Sequence, residues 1–279
     1  MHRRRALVAT VSLVALASVV PGAHGDGGTS PGVLQGGSGV VDRAAGVRFV
    51  ALWAGRNTVV ARLKLRGATV ERSRIIRGWY GLPLVTWSGD VGGLSPDHRL
   101  LVVASESASQ PAKRSSFALY DARTLRNMAV ITLAGDFTYD ALSPDGSRLY
   151  LTQHPSATDA LRYAVRAYDL AHHRLTAKPI VDPREPKMRG YPYSRVTSRG
   201  AKWVYTLYAG GDEPFVHALD TVHGIALCLD IDWHKRDGKL WRMRLRLLDH
   251  GRTLGFVDRT TGRAARPSLD LRRLHATGG

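Results

Sequence analysis

Cysteine is almost absent from this chain, because Cys228 is the one residue of its kind among 279. A single thiol cannot close a disulfide within the chain, so a disulfide framework is excluded and the fold has to be held by packing. The apolar residues around it, from Ile225 to Leu229, predict a strand. We therefore expect a buried, inert thiol at this position and not a nucleophile.

Apolar runs of membrane-spanning length are also missing. The stretch from Ala6 to Val20 has 15 residues, whereas a spanning helix needs about 20. It follows three arginines at 3–5 and precedes the small residues Ala23 and Gly25, which is the layout of a cleaved signal peptide. We predict a signal peptide over residues 1–25 and a secreted, extracytoplasmic protein with no transmembrane segment; an uncleaved anchor is the alternative.

Acidic residues are scarce relative to basic ones, with 23 Asp and Glu against 40 Lys and Arg and a formal net charge of +17. Only 7 of the basic residues are lysine, a skew that genomic base composition can produce. The functional interpretation is attraction to polyanions such as wall polymers, anionic lipids or nucleic acid. Since export makes nucleic acid the least expected of these, we predict an anionic cell-wall polymer or an envelope protein as partner, and no nucleic-acid partner.

Side chains that could hold a metal do not converge in the sequence. His217, Asp220 and His223 lie close together along the chain, but strand alternation sends His217 and Asp220 to opposite faces of a sheet. We therefore predict no metal, no cofactor and no catalytic residue.

What the sequence does contain is a repeat. Residues 94–103, LSPDHRLLVV, return as LSPDGSRLYL at 142–151, which is 48 residues later. Weaker copies follow at 196–205 and 248–254, and the turn glycines Gly146, Gly200 and Gly251 are separated by 54 and then 51 residues. The period is therefore close to 50 residues, and repeats of this length predict an architecture of similar stacked units.

A second marker recurs in phase with this repeat, namely an apolar strand that ends in aspartate at a polar turn. The four aspartates are Asp121, Asp169, Asp220 and Asp258. Aspartate and serine in such turns bond back to their own backbone and proline presets the turn dihedral. We therefore interpret these residues as structural.

Each unit can be divided into four strands. In the third unit they are predicted at 137–142, 148–153, 163–169 and 176–181. Four strands in a unit of this length are typical of a β-propeller blade. We predict an all-β chain with a flexible Gly/Ser-rich leader over residues 26–46 and one propeller domain of five four-stranded antiparallel blades over 47–279. The fifth blade, from Leu240, is a strand short, so a six- or seven-bladed or an incomplete ring is the alternative.

The repeat also carries a family resemblance. Residues 142–151 resemble the Ser-Pro-Asp-Gly strand of YVTN-type and TolB-like propellers, whose blades are similar to WD40 repeats. The stretches 135–141, 187–192 and 214–221 resemble a group of uncharacterised secreted propellers from actinobacteria. The resemblance extends over most of the chain and implies the fold, but it implies little about activity, because propellers host unrelated functions.

Long connections are predicted on one face of the propeller, after the second and fourth strands of each blade, where binding sites concentrate. Six aromatic or basic residues on this face are candidate ligand- or partner-binding residues: Trp79, Arg184, Lys187, Arg189, Tyr191 and Trp233. Aromatic planes beside cations suit sugar rings, anionic glycans or the acidic patches of a partner protein. The alternative is that the aromatics pack between blades while the charges face water.

Two ionisable residues are predicted on the innermost strands, where small or neutral residues would suffice. Aligning Leu142 with Val196 places Asp140 and Arg195 one position apart in successive blades. Each could line a central ligand site, or they could be satisfied by neighbours in a structural pair between blades. We predict a monomeric, non-enzymatic binding or interaction propeller of the cell envelope; the alternative is a lactonase-like propeller hydrolase that uses carboxylates at the central channel.

Overall fold

The computed structural model describes residues 31–107, 111–185, 187–210, 213–233, 239–272 and 274. The predicted signal peptide lies outside these residues and stays a prediction. Within the described ranges, no helix is long and apolar enough to cross a membrane.

Strands account for nearly all of the regular structure, and they form five antiparallel sheets that we number as blades one to five in chain order. Blade one contains β2 (Val40–Asp42), β3 (Val47–Ala54), β4 (Asn57–Lys64) and β5 (Val70–Arg77). Blade two contains β1 (Val33–Leu34), β6 (Tyr80–Pro83), β7 (Leu100–Ser105), β8 (Arg114–Asp121) and β9 (Asn127–Ala134). Blade three contains β10 (Asp136–Leu142), β11 (Arg148–His154), β12 (Ala164–Asp169) and β13 (Arg174–Leu175). Blade four contains β14 (Tyr191–Thr197), β15 (Trp203–Ala209), β16 (Phe215–Asp220) and β17 (Ile225–Asp230), and blade five contains β18 (Met243–Leu248), β19 (Thr253–Asp258) and β20 (Ala264–Asp270).

The core lies between the blades, because four buried clusters each contain residues of two consecutive sheets. Members of these clusters, in chain order, are Phe49 with Tyr120, Phe117 with Leu149, Tyr150 with Leu219, and Tyr205 with Phe256. Successive side chains of a strand point to opposite faces of the sheet, so one blade can pack against both the preceding and the following blade. In the described part of the chain no such cluster joins blade five to blade one.

The first repeated turn is built in the same way in three blades. In blade three the hydroxyl of Ser143 accepts a hydrogen bond from the backbone N–H of Arg148 at 2.9 Å, and Ser95 accepts the equivalent bond in blade two. In blade four Ser198 accepts from the N–H of Trp203, also at 2.9 Å, although the proline and aspartate of the motif are absent there. Ser198 is therefore the equivalent of Ser143 in the next blade. The two serines are 55 positions apart, whereas the sequence alignment predicted an interval of 54.

The turn aspartates have the structural role that was predicted for them. Asp121 and Asp258 accept hydrogen bonds of 2.7 Å from the backbone N–H groups three and two residues further on. Asp169 and Asp220 each accept from the N–H groups two and three residues further on. These bonds close the turn before the outermost strand of a blade.

Two predicted boundaries differ from the structure. Part of the leader predicted over residues 26–46 is structural, since it supplies β1, which pairs with β6, and β2, the first strand of blade one. The strand predicted at 176–181 is reduced to β13, because residues 177–179 bulge out between the bonds that Thr176 and Ile180 donate to β12. Within the described residues the fifth blade is a three-stranded sheet, as predicted. The described residues therefore form an all-β propeller of five blades, as the repeats predict.

Candidate functional site at the centre of the blades

A hairpin interrupts the innermost strand of blade two. The chain leaves β6 at Pro83, pairs Leu84 with Val91, and rejoins the blade where Leu94 pairs with Leu101. We call residues 84–91 the central hairpin. Its turn is closed by a hydrogen bond of 3.0 Å from the N–H of Gly89 to the carbonyl of Thr86. Gly89 has a φ of +87°, a conformation that side-chain-bearing residues adopt only with strain.

The tip of the central hairpin contacts blades four and five. The N–H of Trp87 donates to the carbonyl of Pro192 at 2.8 Å, and the hydroxyl of Ser88 donates to the carbonyl of Tyr193. The guanidinium of Arg259, in the turn after β19, donates to the carbonyl of Ser88 at 3.3 Å and to its hydroxyl. Blade three separates blades two and four in the ring, so these bonds cross the space that the innermost strands enclose. The hairpin therefore extends into the centre of the propeller and links three blades.

The two channel residues predicted from the sequence meet beside this hairpin. Asp140 and Arg195 form an ion pair, and their side chains are 3% and 11% exposed. Arg195 also donates to the carbonyl of Asp140 at 2.5 Å and, through Nε, to the hydroxyl of Thr206 at 3.0 Å. Its backbone N–H donates to Asp90 of the central hairpin at 3.2 Å. The pair thus joins β10, β14 and the hairpin.

Charge compensation explains why the ion pair of Asp140 and Arg195 is tolerated in the protein interior. Burial opposes the charged form of Arg195, but the Asp140 carboxylate, together with Tyr208 and Tyr139, outweighs burial and keeps the pKa of Arg195 above its usual value. The turn register makes Asp140 and Arg195 equivalent positions of successive blades, where the sequence alignment had set them one position apart. Both line a cavity of about 250 Å³ that also borders Leu94 and Thr197, next to the short turns.

Two tyrosine rings lie against His217 in the interface between blades three and four. Tyr163 stacks on Tyr208 at 4.5 Å, and the imidazole of His217 lies edge-on to both, at 6.1 and 6.0 Å. His217 is 1% exposed, and its Nε2 atom has no hydrogen-bond partner. Burial lowers the pKa of His217 to about 4, so this histidine is neutral near pH 7. Asp220, in contrast, lies in a turn and bonds to His223 at 2.8 Å. No group of three or more metal-ligating side chains occurs in the described ranges.

The connection from β13 to β14 carries the predicted basic residues. Arg184 binds Asp182 at 2.6 Å and also donates to the carbonyl of Cys228 at 3.2 Å. The hydrogen bond from Arg184 is the largest cause that lowers the pKa of Asp182 to about 2. Arg189 binds Asp159 at 3.2 Å, and Lys187 is exposed. All three cations keep their charged ends at the surface.

The predicted aromatic residues have different environments. Trp79 is 50% exposed and lies 6.2 Å from Trp53. Tyr191 is half-buried with its ring edge-on to Trp87 at 5.9 Å, and Trp233 is half-buried 5.9 Å from Phe256. Of these three residues, only Trp79 therefore has a largely open ring.

Sequence reasoning missed the central hairpin and its contacts, namely Trp87, Ser88, Asp90, Tyr193 and Arg259. The one available signal is the polar stretch 86–90 between apolar residues, which also fits an ordinary loop. The partners of this stretch lie more than 100 positions away in the chain, and the local pattern carries no information about them.

Comparison with known proteins finds similar solved structures that are distant in sequence. No protein-family model and no curated protein matches the chain. Among solved structures, TolB from Acinetobacter baumannii is 13% identical, with a TM-score of 0.43 over 80% of this chain and 51% of that one. The Cps50 (Swd1) β-propeller domain from Myceliophteria thermophila is 12% identical, with a TM-score of 0.47 over 82% of this chain and 64% of that one. The chain thus spans between half and two thirds of the length of these two propellers.

Proposed function

We propose that the protein is a non-enzymatic, extracytoplasmic binding propeller that recognises an anionic glycan, or an acidic partner protein, through one face. This loop face carries inter-blade connections whose described residues are 78–79, 176–185, 187–190, 231–233 and 239–242. The observation that carries the proposal is the cluster of three surface cations, Arg184, Lys187 and Arg189, within one of these connections.

Electrostatics on this connection favours an anionic partner. Arg184 has a side chain that is 70% exposed, whereas its partner Asp182 is 1% exposed, so solvent meets the guanidinium and not the carboxylate. Arg189 is 42% exposed beside an Asp159 that is 31% exposed. The aspartates orient the two guanidinium groups, which still have N–H donors directed outwards for oxyanions. The formal net charge is +17 for the whole chain and +14 without the three arginines of the predicted signal peptide, and it adds long-range attraction for a polyanion.

The hydrolase alternative has less support. It needs a carboxylate that can exchange protons with a substrate. Asp140, the channel carboxylate, is 3% exposed and already paired with Arg195. This burial and this pairing count against a role of Asp140 as general acid or base.

The test is the retention of the protein on a column of immobilised polygalacturonate, an anionic glycan, compared with its retention on a column of neutral dextran. We expect the protein to bind the anionic column and to elute with salt, because released counterions weaken such complexes as salt rises. The combined substitution Arg184→Ala, Lys187→Ala and Arg189→Ala should move elution to clearly lower salt.

The matched control removes the same charge from exposed arginines in the short turns on the opposite face, with Arg99→Ala, Arg123→Ala and Arg199→Ala. This control should shift elution by less than half as much. Equal shifts for the two triple variants would show attraction by net charge alone and would refute a binding face.

A further inference from the structure

A cleft lies beside the tip of the central hairpin. Trp241 and Arg242 of the loop face form part of its wall, but none of its lining residues belongs to the cation cluster Arg184, Lys187 and Arg189. The cleft has a volume of about 310 Å³ and is lined by three aromatic rings and two arginines: Trp87, Tyr193, Trp241, Arg242 and Arg259. Blades two, four and five all contribute to its wall. Small-molecule sites typically occupy about 300–1,000 Å³, so this cleft has room for one small ring and little more.

Arg259 brings an uncompensated charge to this cleft. Its guanidinium bonds to the carbonyl and hydroxyl of Ser88, which are neutral groups. Among the residues that the structure describes, no carboxylate lies within salt-bridge distance of it. Burial, together with the nearby charge of Arg244, lowers the pKa of Arg259 in spite of an opposing effect of Asp90. A half-buried cation without a counter-charge is costly, and an anionic ligand would remove that cost.

The rim of the cleft is also cationic and aromatic. Arg242 binds Asp258 at 3.3 Å, with a side chain that is 30% exposed. The ammonium group of Lys239 lies 5.8 Å from the ring centre of Trp241, and this ring is 56% exposed. An open indole at the mouth of a cationic cleft can stack on the apolar face of a sugar ring while cations bind its acidic group.

Two hydrogen-bond donors in the wall have no acceptor, namely Nε1 of Trp87 and Nε of Arg259. Buried donors are nearly always paired in folded proteins, so unpaired ones at a cleft are informative. Both atoms are covered in this conformation. A ligand oxyanion would therefore reach them through a small rotation of the indole and the guanidinium, which tryptophan fluorescence can report.

From these features we infer that this cleft binds a single sugar ring that carries an oxyanion, and specifically the carboxylate of a hexuronate. The carboxylate would lie against Arg259 and the ring against Trp241. The inference deepens the proposed function and rests on it, because it names the acidic unit of a glycan that the protein recognises and the place where that unit binds.

The experiment titrates the full-length protein with galacturonate, glucuronate, glucose 6-phosphate and glucose, and follows binding by tryptophan fluorescence and calorimetry. We expect both uronates to bind saturably and glucose not to bind. Trp241→Ala and Arg259→Gln should each weaken uronate binding at least about tenfold, as the loss of one charged or stacking contact does. Arg246→Ala is the control, since it removes one exposed charge from β18 without touching the cleft.

The outcomes separate this inference from the proposed function. Arg259 also anchors the central hairpin, so Arg259→Gln could unfold the protein. Trp241 is exposed, and Trp241→Ala therefore keeps the test valid in that case. The triple variant Arg184→Ala, Lys187→Ala, Arg189→Ala should still bind uronate. The inference is overturned if no uronate binds, or if Trp241→Ala leaves uronate binding unchanged. Neither result excludes retention of the protein on the polymer, which tests the proposed function. Tighter binding of glucose 6-phosphate than of either uronate would assign the site to phosphate and overturn the carboxylate assignment.

Discussion

Replacement of His217 by phenylalanine should make the protein less sensitive to acid. His217 has a pKa of about 4 in the fold against an ordinary value of 6.5. A histidine with a lowered folded-state pKa is neutral in the native protein while the unfolded chain binds a proton. Stability is therefore full above the unfolded pKa and falls as the pH drops from 6.5 towards 4. Integrating the difference in bound protons between about pH 7.5 and about pH 4.5 gives a loss of about 2–3 kcal/mol from this one group.

The measurement is the free energy of unfolding in urea at these two pH values for the wild type and for His217→Phe. The phenyl ring keeps the edge-on contacts with Tyr163 and Tyr208, so we expect a smaller fall in stability for the variant, by about 2–3 kcal/mol. His154, whose pKa burial also lowers, contributes to both proteins and cancels in the comparison. His173→Asn, at an exposed position with a φ of +53°, is the control and should leave the fall unchanged. An equal fall in the wild type and in His217→Phe would refute the reasoning.

Two further changes test the centre of the propeller. Arg195→Met removes one partner of a buried ion pair and should lower the free energy of unfolding in urea by about 3–5 kcal/mol. The double variant Asp140→Leu with Arg195→Met should recover much of that loss. A double variant as unstable as the single one would contradict the pairing. Gly92→Ala should destabilise by about 1–3 kcal/mol, because a Cβ atom there would lie 2.6 Å from the ring of Tyr139 and 2.9 Å from Val85. A melting temperature of Gly92→Ala equal to that of the wild type would show that the hairpin exit is not closely packed.

The fold was largely predictable because its determinants are local. The serine of each repeated turn bonds to an N–H five residues away, and the turn aspartates bond two or three residues away, so a single sequence carries the whole signal. The alignment of one repeat with the next was less predictable than the presence of the repeats. In blade four the motif keeps only Ser198, and the extra residue in the repeat becomes visible only through the bond to Trp203.

The candidate site was only partly predictable because its contacts are not local. Asp140 and Arg195 stood out as charges on inner strands, but the sequence left open whether they bind a ligand or each other. The contact between Ser88 and Arg259 joins residues 171 positions apart. It depends on the curvature of the whole ring, and the pattern around either residue predicts only a polar turn.

The measurement that tests the central claim most directly is the dissociation constant for fluorescent polygalacturonate, followed by anisotropy at two salt concentrations. Recognition by the cations of the loop face predicts saturable binding that weakens at least about tenfold between about 50 and about 300 mM NaCl. It also predicts weaker binding by the variant that lacks Arg184, Lys187 and Arg189 at the lower salt. The same affinity at both salt concentrations, or no binding at the lower one, would contradict an anion-binding propeller.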